Sequence, residues 1–129
     1  MKLLLDTHIW LWSLHQTDRL GARVRRELRD LQNELWLSPI STWEALIFHQ
    51  KGRVYLAHDL DRWMAEATGP FRQAPLTHEM VATARSLPLP QRDPADRFLA
   101  ATAKVLDLTL VTADASLLGL GEISTLGNR

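Results

Sequence analysis

Four acidic residues stand where the sequence pattern indicates the ends of buried elements. Asp6 follows the apolar run KLLL, Glu44 lies in SPISTWEAL, Asp96 in RDPADRF and Asp114 in TLVTADASL. A carboxylate next to buried apolar residues is costly unless backbone N–H groups, a cation or a metal ion stabilises it. Carboxylate oxygens are also the ligands that Mg²⁺ and Mn²⁺ prefer. These four acids are therefore candidate metal ligands.

Each acid also has a simpler explanation at the start of a helix. Asp6 can cap the helix that follows it, and Asp114 can cap a short helix over Ala115–Leu118. Ser41 and Glu44 have the spacing of a capping box, in which the serine accepts a helical N–H and the glutamate reaches back to the serine. No single acid therefore identifies a site.

The segment RDPADRF has the features of a helix start. Asp93 can cap the helix, Pro94 suits its first position, and Asp96 lies at the positive end of the helix dipole. Asp96 could thus be explained by helix stability alone, and Asp93 is interpreted as a helix cap.

The surrounding elements alternate between strand and helix. The unbroken apolar run Lys2–Leu5 predicts a parallel strand covered on both faces, and Ala95–Asp107 followed by Thr109–Thr112 reads as helix, then strand. Further helices are predicted at Arg19–Gln32, Thr42–Lys51, His58–Ala67 and His78–Ser86, and short strands at Leu35–Ser38 and Phe71–Leu76. This alternation predicts an α/β fold with a mostly parallel sheet.

In such a sheet the carboxyl ends of strands and the amino ends of crossover helices share one edge. Asp6 and Asp114 follow predicted strands, and Glu44 and Asp96 open predicted helices, so all four can converge. Converging carboxylates repel one another unless some are protonated or a cation binds among them. The chain has no cysteine, and its five histidines show no metal-ligand spacing, which favours Mg²⁺ or Mn²⁺ over Zn²⁺.

Length and composition limit the class of protein. A chain of 129 residues suits a single domain, here residues 1–129. Lysine plus arginine equals aspartate plus glutamate at 15 each, so any affinity for nucleic acid must come from a local patch. Without cysteines, and without an apolar run long enough for a signal peptide or a membrane span, the expected location is the cytoplasm.

Four segments, LLLDTHIWLW, SPISTWEAL, RDPADRFLAATA and LTLVTADASL, resemble in order and spacing the PIN domain, specifically the VapC-type toxin ribonucleases of bacterial toxin–antitoxin pairs. The resemblance covers essentially the whole chain and implies a three-layer α/β/α sandwich around a central, mostly parallel sheet. It assigns Asp6, Glu44 and Asp96 as the three core acids and Asp114 as a fourth, more variable one.

The resemblance also implies an activity: metal-dependent hydrolysis of RNA by an endoribonuclease that leaves a 5′-phosphate and a 3′-hydroxyl. Asp6 would be the central ligand of Mg²⁺, for which Mn²⁺ can substitute. Asp96 and Glu44 would complete the site directly or through water, and Asp114 would hold a second ion or orient water. The implied partners are the RNA substrate, a cognate antitoxin that inhibits the enzyme, and a second copy of the chain in a homodimer and a toxin–antitoxin hetero-oligomer.

Several other residues have open roles. Thr7 and Thr112 match small hydroxyl residues that accompany the site in relatives, and Arg97 is either structural or in contact with substrate. Among the five tryptophans, Trp10, Trp12, Trp36, Trp43 and Trp63, one or two exposed rings would mark an apolar patch for a partner. In relatives such a patch serves dimerisation and a groove for an antitoxin helix.

The segment GARVRRELRDLQ predicts an amphipathic helix. Its apolar face would carry Leu20, Val24, Leu28 and Leu31, and its basic face Arg19, Arg23 and Arg26, with Arg25 and Arg29 nearby. The basic face is either a solvated surface or a stripe that contacts RNA phosphates or an acidic antitoxin segment.

Three other classes of protein have sequence requirements that can be compared with this chain. A haloacid-dehalogenase-like phosphatase would need a second aspartate two residues after Asp6, where this chain has His8. A receiver domain would need an acidic pair near the first strand, a mid-chain phosphorylated aspartate and a late lysine, which the chain does not supply in order. A non-catalytic PIN-like RNA-binding or interaction module usually lacks one or more core acids, whereas all four are present here.

Overall fold

The computed structural model describes residues 1–90 and 93–129. At its centre is a five-stranded sheet in the order β3-β2-β1-β4-β5, in which every neighbouring pair is parallel. The strands are β1 (Lys2–Leu5), β2 (Glu34–Leu37), β3 (Arg72–Gln73), β4 (Thr109–Thr112) and β5 (Ser124–Gly127). The predicted parallel α/β sheet is therefore confirmed, with the first strand in the middle.

Helices cover both faces of the sheet. They are α1 (Thr7–His15), α2 (Ala22–Arg29), α3 (Pro39–Gln50), α4 (Leu60–Thr68), α5 (His78–Ser86), α6 (Pro94–Leu106) and α7 (Ala115–Leu118), with a 3₁₀ turn at Thr17–Arg19. Leu3 and Leu5 pack into one apolar cluster with α1 to α4, whereas Leu4 packs into a second with α5 and α6. Alternate residues of a strand face opposite sides, so this division produces the three predicted layers. No helix in residues 1–90 or 93–129 combines the length and apolarity needed to cross a membrane.

The third helix begins three residues earlier than predicted. The Ser38 hydroxyl caps it by accepting the N–H of the second helical residue at 3.1 Å, and Pro39 occupies the first position. Ser41 and Glu44 consequently lie inside the helix. The capping-box interpretation of these two residues is therefore wrong, and Glu44 is available for another role.

The helix predicted at Arg19–Gln32 is shorter in the structure, where it is α2. The 3₁₀ turn ends at Arg19, and α2 ends at Arg29. Val24 is completely buried in the core, but Leu31 lies beyond the helix and is 99% exposed. The predicted apolar face is therefore wrong at Leu31, because the helix stops before that residue can turn inward.

Two edge strands differ from the sequence prediction. The strand predicted at Phe71–Leu76 is reduced to Arg72–Gln73, and β5 was not predicted. Both lie at the edges of the sheet, where each has a single neighbour. Short, polar edge strands such as STLG carry little of the apolar pattern that reveals a buried strand.

The residues after β5 complete the start of α2. The Asn128 side chain accepts the Gly21 N–H at 2.8 Å and donates to the Arg19 carbonyl at 2.9 Å. The Arg129 carbonyl accepts the Val24 N–H at 3.1 Å. These contacts satisfy backbone donors that a helix start leaves free. They also bring Arg129 so close that a Cβ on Gly21 would lie 1.8 Å from its carbonyl carbon.

We predict that Gly21→Ala lowers the free energy of unfolding by about 1–3 kcal/mol, because the added methyl forces Arg129 away from the start of α2. Gly121→Ala is the matched control, since a Cβ there meets no atom within 4 Å. Urea unfolding of both variants measures the difference. Equal stability of the two would show that the contact with Arg129 does not constrain residue 21.

Candidate metal centre

Asp6 lies at the carboxyl end of β1, the central strand, and is 9% exposed. One of its oxygens accepts the Thr7 N–H at 2.8 Å and so caps α1. The other accepts the Thr112 hydroxyl at 2.6 Å, across from the end of β4. Asp6 is thus a helix cap, as one interpretation predicted, but the second hydrogen bond also fixes the orientation of its carboxylate.

Glu44 reaches the same edge from the second turn of α3. Its Oε1 accepts the Thr7 hydroxyl at 2.5 Å, and the Thr7 oxygen lies 3.0 Å from the Ser41 hydroxyl. A hydroxyl carries one proton, so Thr7 donates to Glu44 while Ser41 donates to Thr7. Ser41 and Thr7 are both buried. The chain of hydrogen bonds orients Glu44, and the part played by Ser41 had been hidden by its apparent match to a capping box.

Asp114 is held near the end of β4 by Thr112. The Asp114 N–H donates to the Thr112 hydroxyl oxygen at 3.0 Å, and the Asp114 side chain caps α7 by accepting the Ser116 N–H at 2.7 Å. The predicted capping role is therefore confirmed. Thr112 links Asp114 to Asp6, which gives a physical role to the second of the two threonines identified in the sequence.

Asp93 and Asp96 lie at the start of α6. Asp93 accepts the Ala95 N–H at 3.0 Å, which confirms it as the helix cap. Asp96 follows in the first turn and is half-buried, and its side chain accepts no hydrogen bond from any residue that the structure describes. Asp96 is therefore the one member of the predicted quartet whose carboxyl oxygens have no partner within that part of the chain.

The electrostatics of the site show that the acids interact. Burial and, in decreasing order, the charges of Asp93, Asp6, Asp114 and Glu44 together raise the pKa of Asp96 from 3.8 to about 8. Neighbouring negative charges contribute to such a shift only when they lie close to the carboxyl group. All four predicted site residues are therefore brought to one edge of the sheet.

The pKa values of Asp6 and Glu44 are also raised. Burial is the main cause for both, opposed by hydrogen bonds from Thr112 and the Thr7 N–H at Asp6 and from the Thr7 hydroxyl at Glu44. The neighbouring His8 lowers the pKa of Asp6. Hydrogen bonds alone thus do not offset the cost of keeping these carboxylates charged.

Arg97 does not supply the missing positive charge. Although it follows Asp96, its guanidinium donates to the backbone carbonyls of Ala84 and Leu87 at 2.9 Å, and to that of Leu89. These bonds tie the end of α5 and the loop after it to α6. Arg97 is structural, which decides between its two predicted roles.

The described residues form three ion pairs, none of which includes a site acid; they are Arg62–Glu66, Arg72–Glu34 and Lys104–Glu122. In residues 1–90 and 93–129 no three His, Asp or Glu side chains are grouped as a ready-made metal site. A divalent ion that keeps several waters needs only one or two direct carboxylate ligands. The oxygen-only donors and their uncompensated charge fit such a hydrated hard cation.

The tryptophans divide between core and surface. Trp10 and Trp63 are buried with ring centroids 5.5 Å apart, and Trp10 donates to the Ala67 carbonyl at 3.1 Å. Trp43 is 57% exposed beside a groove of about 550 Å³, whose apolar walls include Leu46 and Met64. Trp43 is therefore the exposed tryptophan that, by the condition set out in the sequence analysis, marks an apolar patch.

The fold and the acidic cluster define a parallel α/β protein with the features of a divalent-cation site. The family model for the PIN domain matches residues 3–122. Ribonuclease VapC22 from Mycobacterium tuberculosis is 31% identical over 116 residues, which are 89% of this chain and 88% of that protein. The chain therefore belongs to the PIN-domain family, which sets aside the phosphatase and receiver-domain alternatives.

Solved structures share the fold over nearly the whole chain. VapBC2 from Rickettsia felis, bound to a DNA fragment from its promoter, has a TM-score of 0.76 at 14% identity, with 98% of each chain covered. FitAcB from Neisseria gonorrhoeae has a TM-score of 0.69 at 22% identity, with 98% of this chain and 97% of that chain covered. At these identities the likeness establishes the fold.

We predict that the protein without metal becomes less stable as the pH rises from roughly 5 to 8. Folded Asp96 keeps its proton up to about pH 8, whereas the unfolded chain loses it near 3.8. Between these values the folded state binds more protons, so the free energy of unfolding decreases with pH. The thermal midpoint in EDTA should therefore fall, and Asp96→Asn should weaken the dependence. Asp61→Asn on α4 is the control. If Asp96→Asn changes the pH dependence of the thermal midpoint no more than this control does, the pKa of Asp96 is not raised as described.

Proposed function

We propose that the protein is a Mg²⁺- or Mn²⁺-dependent endoribonuclease that acts as the toxin of a toxin–antitoxin pair and is inhibited by its cognate antitoxin. The observation that carries the proposal is the cluster of Asp6, Glu44, Asp96 and Asp114, none of which forms an ion pair with another described residue. Membership of the PIN-domain family and the likeness to Ribonuclease VapC22 support ribonuclease activity. We further propose that it acts in the cytoplasm, where its RNA substrate would be present.

The four acidic side chains would have different roles in binding the metal ion, according to how their hydrogen bonds fix them. Asp6, with hydrogen bonds to both oxygens, is the rigid central ligand. Glu44 is oriented by Thr7, and Asp96, whose carboxyl group accepts no hydrogen bond from the described residues, would complete the site directly or through water. Asp114 keeps one oxygen for a second ion or for water, because the other caps α7. A bound Mg²⁺ or Mn²⁺ supplies positive charge to the phosphate oxygens and lowers the pKa of the attacking water.

The protein partners are proposed from the relatives and from one surface. A solved toxin–antitoxin complex from Klebsiella pneumoniae shares the fold over 98% of this chain and 98% of its own, with a TM-score of 0.69 at 18% identity, which supports an antitoxin partner and a hetero-oligomer for this chain. The apolar groove beside Trp43 supports a contact with a second copy of the chain or with an antitoxin helix, because an exposed tryptophan next to an apolar groove is typical of an interface.

We expect Asp6→Asn to reduce RNA cleavage by roughly 100-fold or more, since the central ligand loses its charge. Asp61→Asn on α4 should cleave as the parent does. The assay is cleavage of labelled single-stranded RNA with Mn²⁺ and with EDTA, followed by analysis of the product ends. A 2′,3′-cyclic phosphate product, or cleavage that persists in EDTA, would contradict metal-activated attack by water.

We also expect Mn²⁺ to stabilise the protein independently of catalysis. A ligand that binds only the folded state adds about 2.7 kcal/mol when its free concentration is roughly 100 times its Kd. Thermal unfolding should show this increase for the parent and for Asp61→Asn, but not for Asp6→Asn. If Mn²⁺ neither stabilises the parent nor releases heat in calorimetry, and no RNA is cut, the non-catalytic binding module is the better account.

A further inference from the structure

A second polar feature lies beside the acidic cluster and is opposite in charge. A cleft of about 540 Å³ runs between α1, the 3₁₀ turn, the end of α3 and the loop that follows it. Its lining includes Arg19, Arg53, His8 and His15, and none of the described residues that line it is acidic. In a chain with no net charge, this places basic side chains along one concave surface.

The cleft continues directly from the candidate metal centre. His8 follows Thr7, which donates its N–H to Asp6 at 2.8 Å. Phe48 lies one helical turn after Glu44 on α3 and therefore on the same face. Just as Glu44 contacts Thr7, the Phe48 ring packs against His8 with centroids 5.5 Å apart. The wall formed by α1 and α3 thus leads from the acids into the basic cleft.

Aromatic rings are presented along the same surface. Tyr55 is 65% exposed, and its ring is supported by His49 and His58 at centroid distances of 5.8 and 5.7 Å. Its loop is anchored because the next residue donates its N–H to the His49 ring nitrogen at 3.2 Å. The Arg19 guanidinium lies 4.6 Å from the Trp12 ring centroid. A supported, exposed ring near arginines is typical of surfaces that bind unpaired nucleotides.

We propose that this cleft is the binding track for single-stranded RNA: Arg19 and Arg53 contact phosphates, and Tyr55 stacks on a base. The proposal rests on the ribonuclease function proposed above. It identifies residues outside the acidic cluster that hold the substrate. Carboxylates repel an RNA backbone, so the phosphates next to the one being cut need positive charge close by, and the cleft provides it.

The test measures binding separately from cleavage. Fluorescence anisotropy of a fluorescein-labelled single-stranded RNA of randomised sequence, in EDTA, gives Kd at several salt concentrations. Tyr55→Leu should raise Kd by roughly 5- to 150-fold, the usual cost of losing one stacked base, whereas Tyr55→Phe should bind as the parent does. Arg53→Gln should weaken binding and reduce the salt slope by about 0.7, the value for one phosphate contact on a single strand.

Arg85→Gln is the matched control, because α5 packs on the opposite face of the sheet, and thermal unfolding confirms that each variant is folded. If the parent binds and cuts RNA while Tyr55→Leu and Arg53→Gln keep its Kd and salt slope, the proposal that the cleft binds RNA is wrong. The proposed ribonuclease function is then not contradicted. The cleft would then belong to a protein partner. If the parent neither binds nor cuts RNA, the ribonuclease function fails and the track fails with it.

Discussion

The central constraint is the burial of the Asp6 carboxylate at the end of the middle strand. Removing this charge from water is unfavourable, and the fold places two donors on it, the N–H of α1 and the hydroxyl of Thr112. The topology places both donors next to Asp6, because α1 begins directly after β1 and β4 lies beside β1. The two bonds only partly offset the cost of burial, so the pKa of Asp6 remains raised. A charge that is held rigidly yet incompletely stabilised is suited to bind a cation.

The other acids are arranged around that one. Thr7 gives its N–H to Asp6 and its hydroxyl to Glu44, so one buried residue sets the positions of two carboxylates, one at the end of β1 and one on α3. The Thr112 hydroxyl likewise donates to the Asp6 carboxylate and accepts the backbone N–H of Asp114. The two threonines therefore fix the positions of the site acids relative to the strands of the sheet. Asp96 is outside this network, and burial together with repulsion from the neighbouring acids raises its pKa to about 8 because no hydrogen bond opposes them.

The sequence was informative where a single strong cause determined the structure. The apolar run before Asp6 required a strand buried on both faces, and helix–strand alternation then brought the acids to one edge. It was misleading where two local signals competed, as at Ser41 and Glu44, whose capping-box spacing was overridden by the cap at Ser38 and the proline after it. Leu31 fits the helical pattern, but the helix ends at Arg29 and Leu31 is exposed. A leucine by itself does not indicate where a helix ends. The hydroxyl contacts at Thr7 and Thr112 depend on tertiary packing between α1, α3 and β4, which a linear pattern does not contain.

Charge separation gives the neutral composition a functional meaning. Equal numbers of acidic and basic residues would produce no long-range attraction for RNA if they were mixed evenly over the surface. Here Asp6, Glu44, Asp96 and Asp114 lie at the carboxyl edge of the sheet, and the lining of the adjoining cleft includes arginine, histidine and aromatic side chains. A phosphate backbone would be attracted to the cleft and repelled by the acids until a divalent cation reverses the local charge. Binding of substrate and loading of metal would then favour each other, because each supplies the charge that the other needs.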